Sequence, residues 1–315
     1  MPAGQLNKHL FNSQLLKNNR LGNNSKRELL VYTPPEFSKR ENLQCIFFLP
    51  GFGGTLEKWQ NKDFPMYKLM ELLILNNSIP RSILCCIDGM TRFGGSQYID
   101  SSLNGPFMKH IVKELVPFII KKYNVLPQFY ICGHSSGGFG ALQIASLYPE
   151  LFTKTASFAG DMYFELTHKN MLCDFFKLFN DNKLGSSLKE SLKLKITDYI
   201  FGLSAAYTPN LRNKKWLMDF PIDLKSGELN EKIWAEWKKY DPIEWVSDRS
   251  ENLKKLKLIY LSAGTEDQFS LQLGAKVFSE RCNKKGISTI CQYHEGNHSL
   301  LTRQAEAGIK EFFRN

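Results

Sequence analysis

Continuous apolar runs of strand length alternate with amphipathic segments of helix length through most of this chain, and that alternation restricts its fold more than any other feature. RELLVYTP and LQCIFFLP read as strands that stop at proline, and FPMYKLMELLILNN follows with helical spacing and Pro65 at its first turn. RSILCCID, QFYICG, FTKTASFAG, LKLIYLSAG and STICQYHE are further strands. FMKHIVKELVPFIIKKY, SGGFGALQIASLYP, SLQLGAKVFSERCNKKG and LTRQAEAGIKEFFRN read as the helices that connect or follow them, the third closed by Gly286. Runs such as CIFFL and ILCCI carry no polar alternation, so both faces of those strands must be covered. The prediction is an α/β fold with a mainly parallel central sheet and helices on both faces.

The alternation breaks between Asp161 and Ser247. Leu188, Leu192, Ile196 and Ile200 recur every four residues, and Ile233, Trp234, Trp237 and Tyr240 form a second helical face. Four of the five tryptophans, Trp216, Trp234, Trp237 and Trp245, fall in this stretch, with only Trp59 elsewhere. The expected organisation is a core of residues 1–160 and 248–315 interrupted by a helical insertion, 161–247. The rings either form a small core of that insertion or line a pocket as a cap.

Composition removes other classes. Hydrophobic residues make up 43% and charged residues 23%, ordinary globular values. No apolar run reaches the roughly 18–20 residues of a membrane span. The opening MPAGQLNKHLFNSQ has no apolar signal-peptide region, so no secretory signal is expected. Seven cysteines, an odd number without a C-x-x-C pair, argue against a disulfide framework and for a reducing, cytoplasmic setting. The net charge of +10 comes from lysines scattered in ones, twos and threes; a solvated surface is expected, not a nucleic-acid or membrane interface.

The strongest local signal is Gly133-His134-Ser135-Ser136-Gly137, because QFYIC runs into it and GGFGALQIAS leaves it. A strand–turn–helix with serine at its tip is a nucleophile elbow, and the crowded turn requires glycine two residues before and after. Serine needs a base, and the base an orienting carboxylate, each supplied by a turn after a later strand. Of six histidines, His298 in the loop EGNHS is the candidate base, since His9, His110, His134, His168 and His294 lie in strands, helices, the elbow or the insertion. Asp267, in the loop after LKLIYLSAG, is the candidate acid; Asp161 and Glu266 are its rivals. A tetrahedral oxyanion needs backbone N–H donors, expected from Ser136 and from Phe52 in the loop Gly51-Phe52-Gly53-Gly54, with Gly53 the second choice there. His294-Glu295-x-x-His298 has the letters of a zinc-protease signature, but that motif needs a helix, and STICQY with Gly296-Asn297 makes a strand and a turn; no metal is expected.

With these segments in place, the chain resembles the putative-esterase family of α/β-hydrolases, which includes esterase D (S-formylglutathione hydrolase), feruloyl esterases, enterochelin esterases and mycolyltransferases. RELLVYTPPEF resembles its early strand, LPGFGG its oxyanion loop, and IDGMTRFGGSQYIDSSLNG with KELVPFIIKKY the loop and helix before the elbow. GHSSGGFGAL with LYPELF resembles the elbow segment, SAGTEDQF the acid loop and YHEGNHS the base loop. The resemblance implies an α/β-hydrolase fold; together with the helical cap insertion and the cytoplasmic setting read above, the expectation is a cytoplasmic serine esterase that cleaves small-molecule carboxylic esters through an acyl-serine. It implies a Ser135, Asp267 and His298 triad and no cofactor; the insertion is longer than in compact esterase D-like members. Two other readings use the same residues differently: acyl transfer to a bound alcohol, and a non-catalytic binding protein on this fold.

Overall fold

The computed structural model describes residues 3–61, 65–180, 195–299 and 301–314. Eight strands share one sheet: β1 (Gln5–Asn12), β2 (Lys26–Thr33), β3 (Gln44–Leu49), β4 (Ser82–Ile87), β5 (Phe129–His134), β6 (Phe152–Phe158), β7 (Leu258–Gly264) and β8 (Ile290–His294). Their order is β1-β2-β4-β3-β5-β6-β7-β8. β2 runs antiparallel to both β1 and β4, and all other neighbours are parallel, as the unbroken apolar runs require. β1 is absent from the sequence-based reading. It is an edge strand of mixed polarity, QLNKHLFN, in which no residue is buried, so it carries little hydrophobic signal.

Helices fill the connections. They are α1 (Leu56–Asn61), α2 (Met66–Leu75), α3 (Phe107–His110), α4 (Val116–Tyr123), α5 (Ser136–Leu147) and α6 (Phe164–Asn180). After them come α7 (Lys195–Tyr207), α8 (Glu231–Lys238), α9 (Pro242–Trp245), α10 (Ser250–Lys255), α11 (Leu271–Lys284) and α12 (Leu301–Phe312). The single helix expected over FMKHIVKELVPFIIKKY is interrupted by a π-helical turn at Ile111–Leu115. Pro117, at the start of α4, has no N–H to return to the preceding turn. Glu114 on that turn accepts hydrogen bonds from Ser13 Oγ (2.5 Å), Gln14 N (2.8 Å) and Leu15 N (3.1 Å), which ties down the N-terminal segment.

Successive residues of each central strand feed opposite layers. Val31, Phe47, Cys85 and Ile131 pack toward α4, α5 and the insertion, whereas Tyr32, Phe48, Cys86 and Cys132 pack toward α2 and α12. Burying each such phenylalanine contributes about 1.5–3 kcal/mol. Trp234 and Trp237 belong to the same cluster as Phe47 and Ile131, so these rings extend the sheet's core and do not form one of their own. Their indole N–H groups donate to Glu165 Oε1 (2.9 Å) and Thr208 Oγ1 (3.0 Å). Trp245 lies in a separate cluster with Leu142 of α5, Leu261 and Phe278. Ile200 is buried; Leu188 and Leu192 of the expected helical face lie outside the described residues, as does the side chain of Ile196.

This strand order places the functional edge. From β3 the chain moves to β4 on one side and later to β5 on the other, so the segments leaving β3 and β5 diverge at neighbouring strand ends. Open α/β sheets bind ligands at such a switch point. The glycine-rich loop after β3 and Ser135 after β5 both lie there.

Candidate active site

Ser135 sits between β5 and α5 with φ +55° and ψ −123°, a conformation that L-residues hold only when their surroundings enforce it. Its N–H donates to the Phe158 carbonyl at 2.8 Å, and its carbonyl accepts from Phe139 N–H at 3.0 Å. A side-chain carbon at Gly133 would stand 2.2 Å from the Gly137 carbonyl oxygen, and one at Gly137 only 1.9 Å from that of Leu49. Both elbow glycines are therefore demanded by contact with backbone, as the motif predicts. The preceding loop crosses directly over the serine: a carbon at Gly51 would lie 3.2 Å from Ser135 Cβ.

The loops after β7 and β8 are laced together. Thr265 N–H donates to the His294 carbonyl and Glu266 N–H to that of Gly296, each at 2.9 Å. A carbon at Gly264 would meet Gly296 O at 2.3 Å. On this frame Asp267 Oδ2 lies 2.9 Å from His298 Nδ1, with the carboxylate side chain fully buried and the imidazole 13% exposed. Asp267 Oδ1 accepts Phe269 N–H at 2.9 Å, and the Phe269 ring stands edge-on to His298 at 5.0 Å. A carboxylate can only accept, so His298 carries its proton on Nδ1 and presents Nε2 as an acceptor. Among the described residues no hydrogen bond joins Ser135 Oγ to His298. Such contacts commonly tighten only once substrate is bound. The elbow nonetheless touches the base loop: the His134 ring lies 4.8 Å from that of His298, and His134 Nε2 donates to the His298 carbonyl at 2.9 Å.

The two rival carboxylates are placed differently. Glu266 is exposed. Asp161 is buried beside the site, where Tyr199 donates its hydroxyl to Oδ2 at 3.4 Å. Burial pushes the Asp161 carboxyl up to about 7, against the opposing pull of His298 and Tyr199 and with the repulsion of Asp267. In the loop after β3, Gly53 N–H is taken by the Gly94 carbonyl (2.8 Å) and Gly54 N–H by that of Gly51 (3.0 Å). The N–H groups of Phe52 and Ser136 have no acceptor among the described residues. Tyr98 braces the loop from below, donating its hydroxyl to the Pro50 carbonyl at 2.7 Å. His294 ends β8 and His298 lies beyond a bend, so the two imidazoles do not share a helix face.

By sequence, residues 20–305 match the family described as Putative esterase. The chain belongs to that family. No curated protein matches it in sequence. Among solved structures, a ferulic acid esterase is similar with a TM-score of 0.63 at 17% identity, covering 99% of this chain and 97% of that one. An S-formylglutathione hydrolase from Agrobacterium tumefaciens reaches 0.59 at 16% identity, covering 98% and 93%. One from Staphylococcus aureus reaches 0.61 at 11% identity, covering 99% and 98%. These structures share the α/β-hydrolase fold, and the family makes the protein an ester hydrolase. No described helix is long and apolar enough to cross a membrane.

Several features of this esterase-family site escape sequence reasoning. His134 reads as a passive residue of the elbow, yet it holds the base loop through a carbonyl contact that no local pattern announces. Tyr98 carries one detectable mark, since G-G-S-Q-Y packs turn-forming residues around an aromatic, but its partner, Pro50, lies 48 positions away. The pairing of Asp161 with Tyr199 spans 38 positions between the segment just after β6 and helix α7, and no local pattern announces it.

Proposed function

We propose that Ser135, His298 and Asp267 act as the triad of this ester hydrolase, with Phe52 and Ser136 supplying the oxyanion N–H donors. The observation that carries this reading is the 2.9 Å contact from His298 Nδ1 to the buried Asp267 carboxylate, on loops that meet the Ser135 elbow through His134. Asp267 holds the imidazole with Nε2 free to accept a proton. His298 takes that proton from Ser135 Oγ as the oxygen bonds to the ester carbonyl carbon, and the carbonyl oxygen becomes an oxyanion. The free N–H groups of Phe52 and Ser136 support their assignment as its donors, and the bond from Gly53 N–H to Gly94 argues for Phe52 over Gly53. Collapse of this intermediate expels the alcohol, protonated by His298, and leaves an acyl-Ser135. Water, deprotonated by His298, attacks the acyl carbon; the second tetrahedral species releases the carboxylic acid, and the serine regains its proton.

Ser135→Ala tests the reading. It should cost about 10⁶ in kcat on a p-nitrophenyl ester with the circular dichroism spectrum unchanged. Turnover at the wild-type rate by that variant would refute the role of Ser135.

A further inference from the structure

The Phe52 ring lies in a slot walled by glycines from two distant parts of the chain. A side-chain carbon at Gly94 would stand 2.6 Å from its Cε1, one at Gly95 2.6 Å from Cδ2, and one at Gly202 2.7 Å from Cε2 and 3.0 Å from Cζ. The Tyr199 ring closes the slot edge-on, its centroid 5.0 Å from that of Phe52 at 84°. Gly94 and Gly95 follow β4, whereas Tyr199 and Gly202 lie on α7 of the insertion.

These glycines are not equivalent. Gly94 has φ +100°, so its backbone alone calls for glycine. Gly202 sits inside α7 without positive φ, where glycine is less favourable than alanine for helix stability. The helix supplies no reason for it; the ring supplies the nearest one, with the Phe93 carbonyl oxygen next at 3.3 Å. The residue so held is the one whose N–H is free beside the elbow, and its successor, Gly53, is fastened by the 2.8 Å bond to Gly94. Side chain and following amide are thus gripped together, which leaves the Phe52 N–H little freedom to turn.

We propose that Gly202 is a positioning residue of the esterase site: by admitting the Phe52 ring to this slot it aims the Phe52 N–H at the oxyanion, making helix α7 part of the catalytic apparatus. The proposal rests on the triad and oxyanion reading given above. An alanine at 202 drives the ring away by several tenths of an ångström to reach ordinary contact. The attached N–H moves with it, while the rest of the site stays in place. The loss falls on the transition state, so kcat drops and KM does not.

The test uses the full chain as wild type, Gly202→Ala, Phe52→Ala and the double variant. It measures ester kcat and KM, the Ki of a trifluoromethyl ketone that forms a tetrahedral adduct with the active serine, and fluorophosphonate labelling of Ser135. Gly202→Ala should lower kcat about 10²-fold and raise the ketone Ki in parallel, with KM nearly unchanged. Phe52→Ala should show the same split, and adding Gly202→Ala to it should change kcat no further, because the clashing ring is gone. Unchanged kcat in Phe52→Ala, or equal fold-losses from Gly202→Ala in both backgrounds, overturns the proposal even if Gly202→Ala alone misfolds. A wild-type protein that neither labels nor turns over ester removes the triad reading and this inference with it. Labelling and turnover in wild type with an unimpaired Gly202→Ala removes this inference alone.

Discussion

Replacing His168 by phenylalanine should flatten the acid side of this protein's stability curve, and replacing Asp161 by asparagine should do the opposite. His168 is fully buried among Phe164, Tyr199 and Trp237, with ring centroids at 4.3, 5.7 and 6.1 Å, and neither ring nitrogen has a partner among the described residues. Burial lowers its pKa from 6.5 to about 3. Below pH 6.5 the unfolded chain takes up a proton that the folded chain refuses. Stability then falls by about 1.4 kcal/mol per pH unit as pH drops, about 5 kcal/mol in all by pH 3. Asp161 acts with the other sign, its pKa raised by burial from 3.8 to about 7. From pH 4 to 7 the folded chain keeps a proton that the unfolded chain has lost, so stability falls as pH rises, by about 4 kcal/mol in total. The two slopes oppose each other between about pH 4 and 6.5, and the wild type conceals both. Urea unfolding at pH 4.5, 5.5, 6.5 and 7.5 separates them. Relative to wild type, His168→Phe should gain about 3 kcal/mol between pH 6.5 and 4.5, and Asp161→Asn a similar amount between pH 4.5 and 6.5. Variant curves that run parallel to the wild type over this range would refute the account of both groups.

The two carboxylates near His298 should also separate in catalysis: Asp267→Asn should lower kcat about 10⁴-fold, whereas Asp161→Asn should change it less than about tenfold; equal losses on a p-nitrophenyl ester would overturn the choice of Asp267. Gly137→Ala sets a methyl group 1.9 Å from the Leu49 carbonyl oxygen and 2.7 Å from that of Pro50, both backbone atoms. It should destabilise the fold by about 3 kcal/mol or more, the upper end of overpacking, and an unchanged melting temperature would contradict the elbow geometry.

The layer structure of this protein was legible because its cause is local. Unbroken apolar runs such as ILCCI are stable only with both faces covered, and the glycines flanking Ser135 announce a turn too crowded for side chains. That His298 and Asp267 would stand on neighbouring loops could be read because chain order and strand ends restrict where such groups lie. β1 was missed because its half-wet edge carries a weak pattern. The π turn was missed because the apolar periodicity of FMKHIVKELVPFIIKKY runs through it and only Pro117 marks the interruption.

Period, capping and turn chemistry act over a few residues, and by themselves they determined the α/β class, the elbow and short lists of candidate acids and oxyanion donors. Choosing within those lists required contacts between segments that share no local pattern. Asp267 meets His298 because the loops after β7 and β8 are hydrogen-bonded side by side. Gly53 has its N–H engaged because a loop following a different strand presents the Gly94 carbonyl to it. Phe52 stands where it does because a helix 150 residues further along the chain leaves out one side chain. Sequence carries such information only as pairs of distant residues, and the folded chain is what brings each pair within reach.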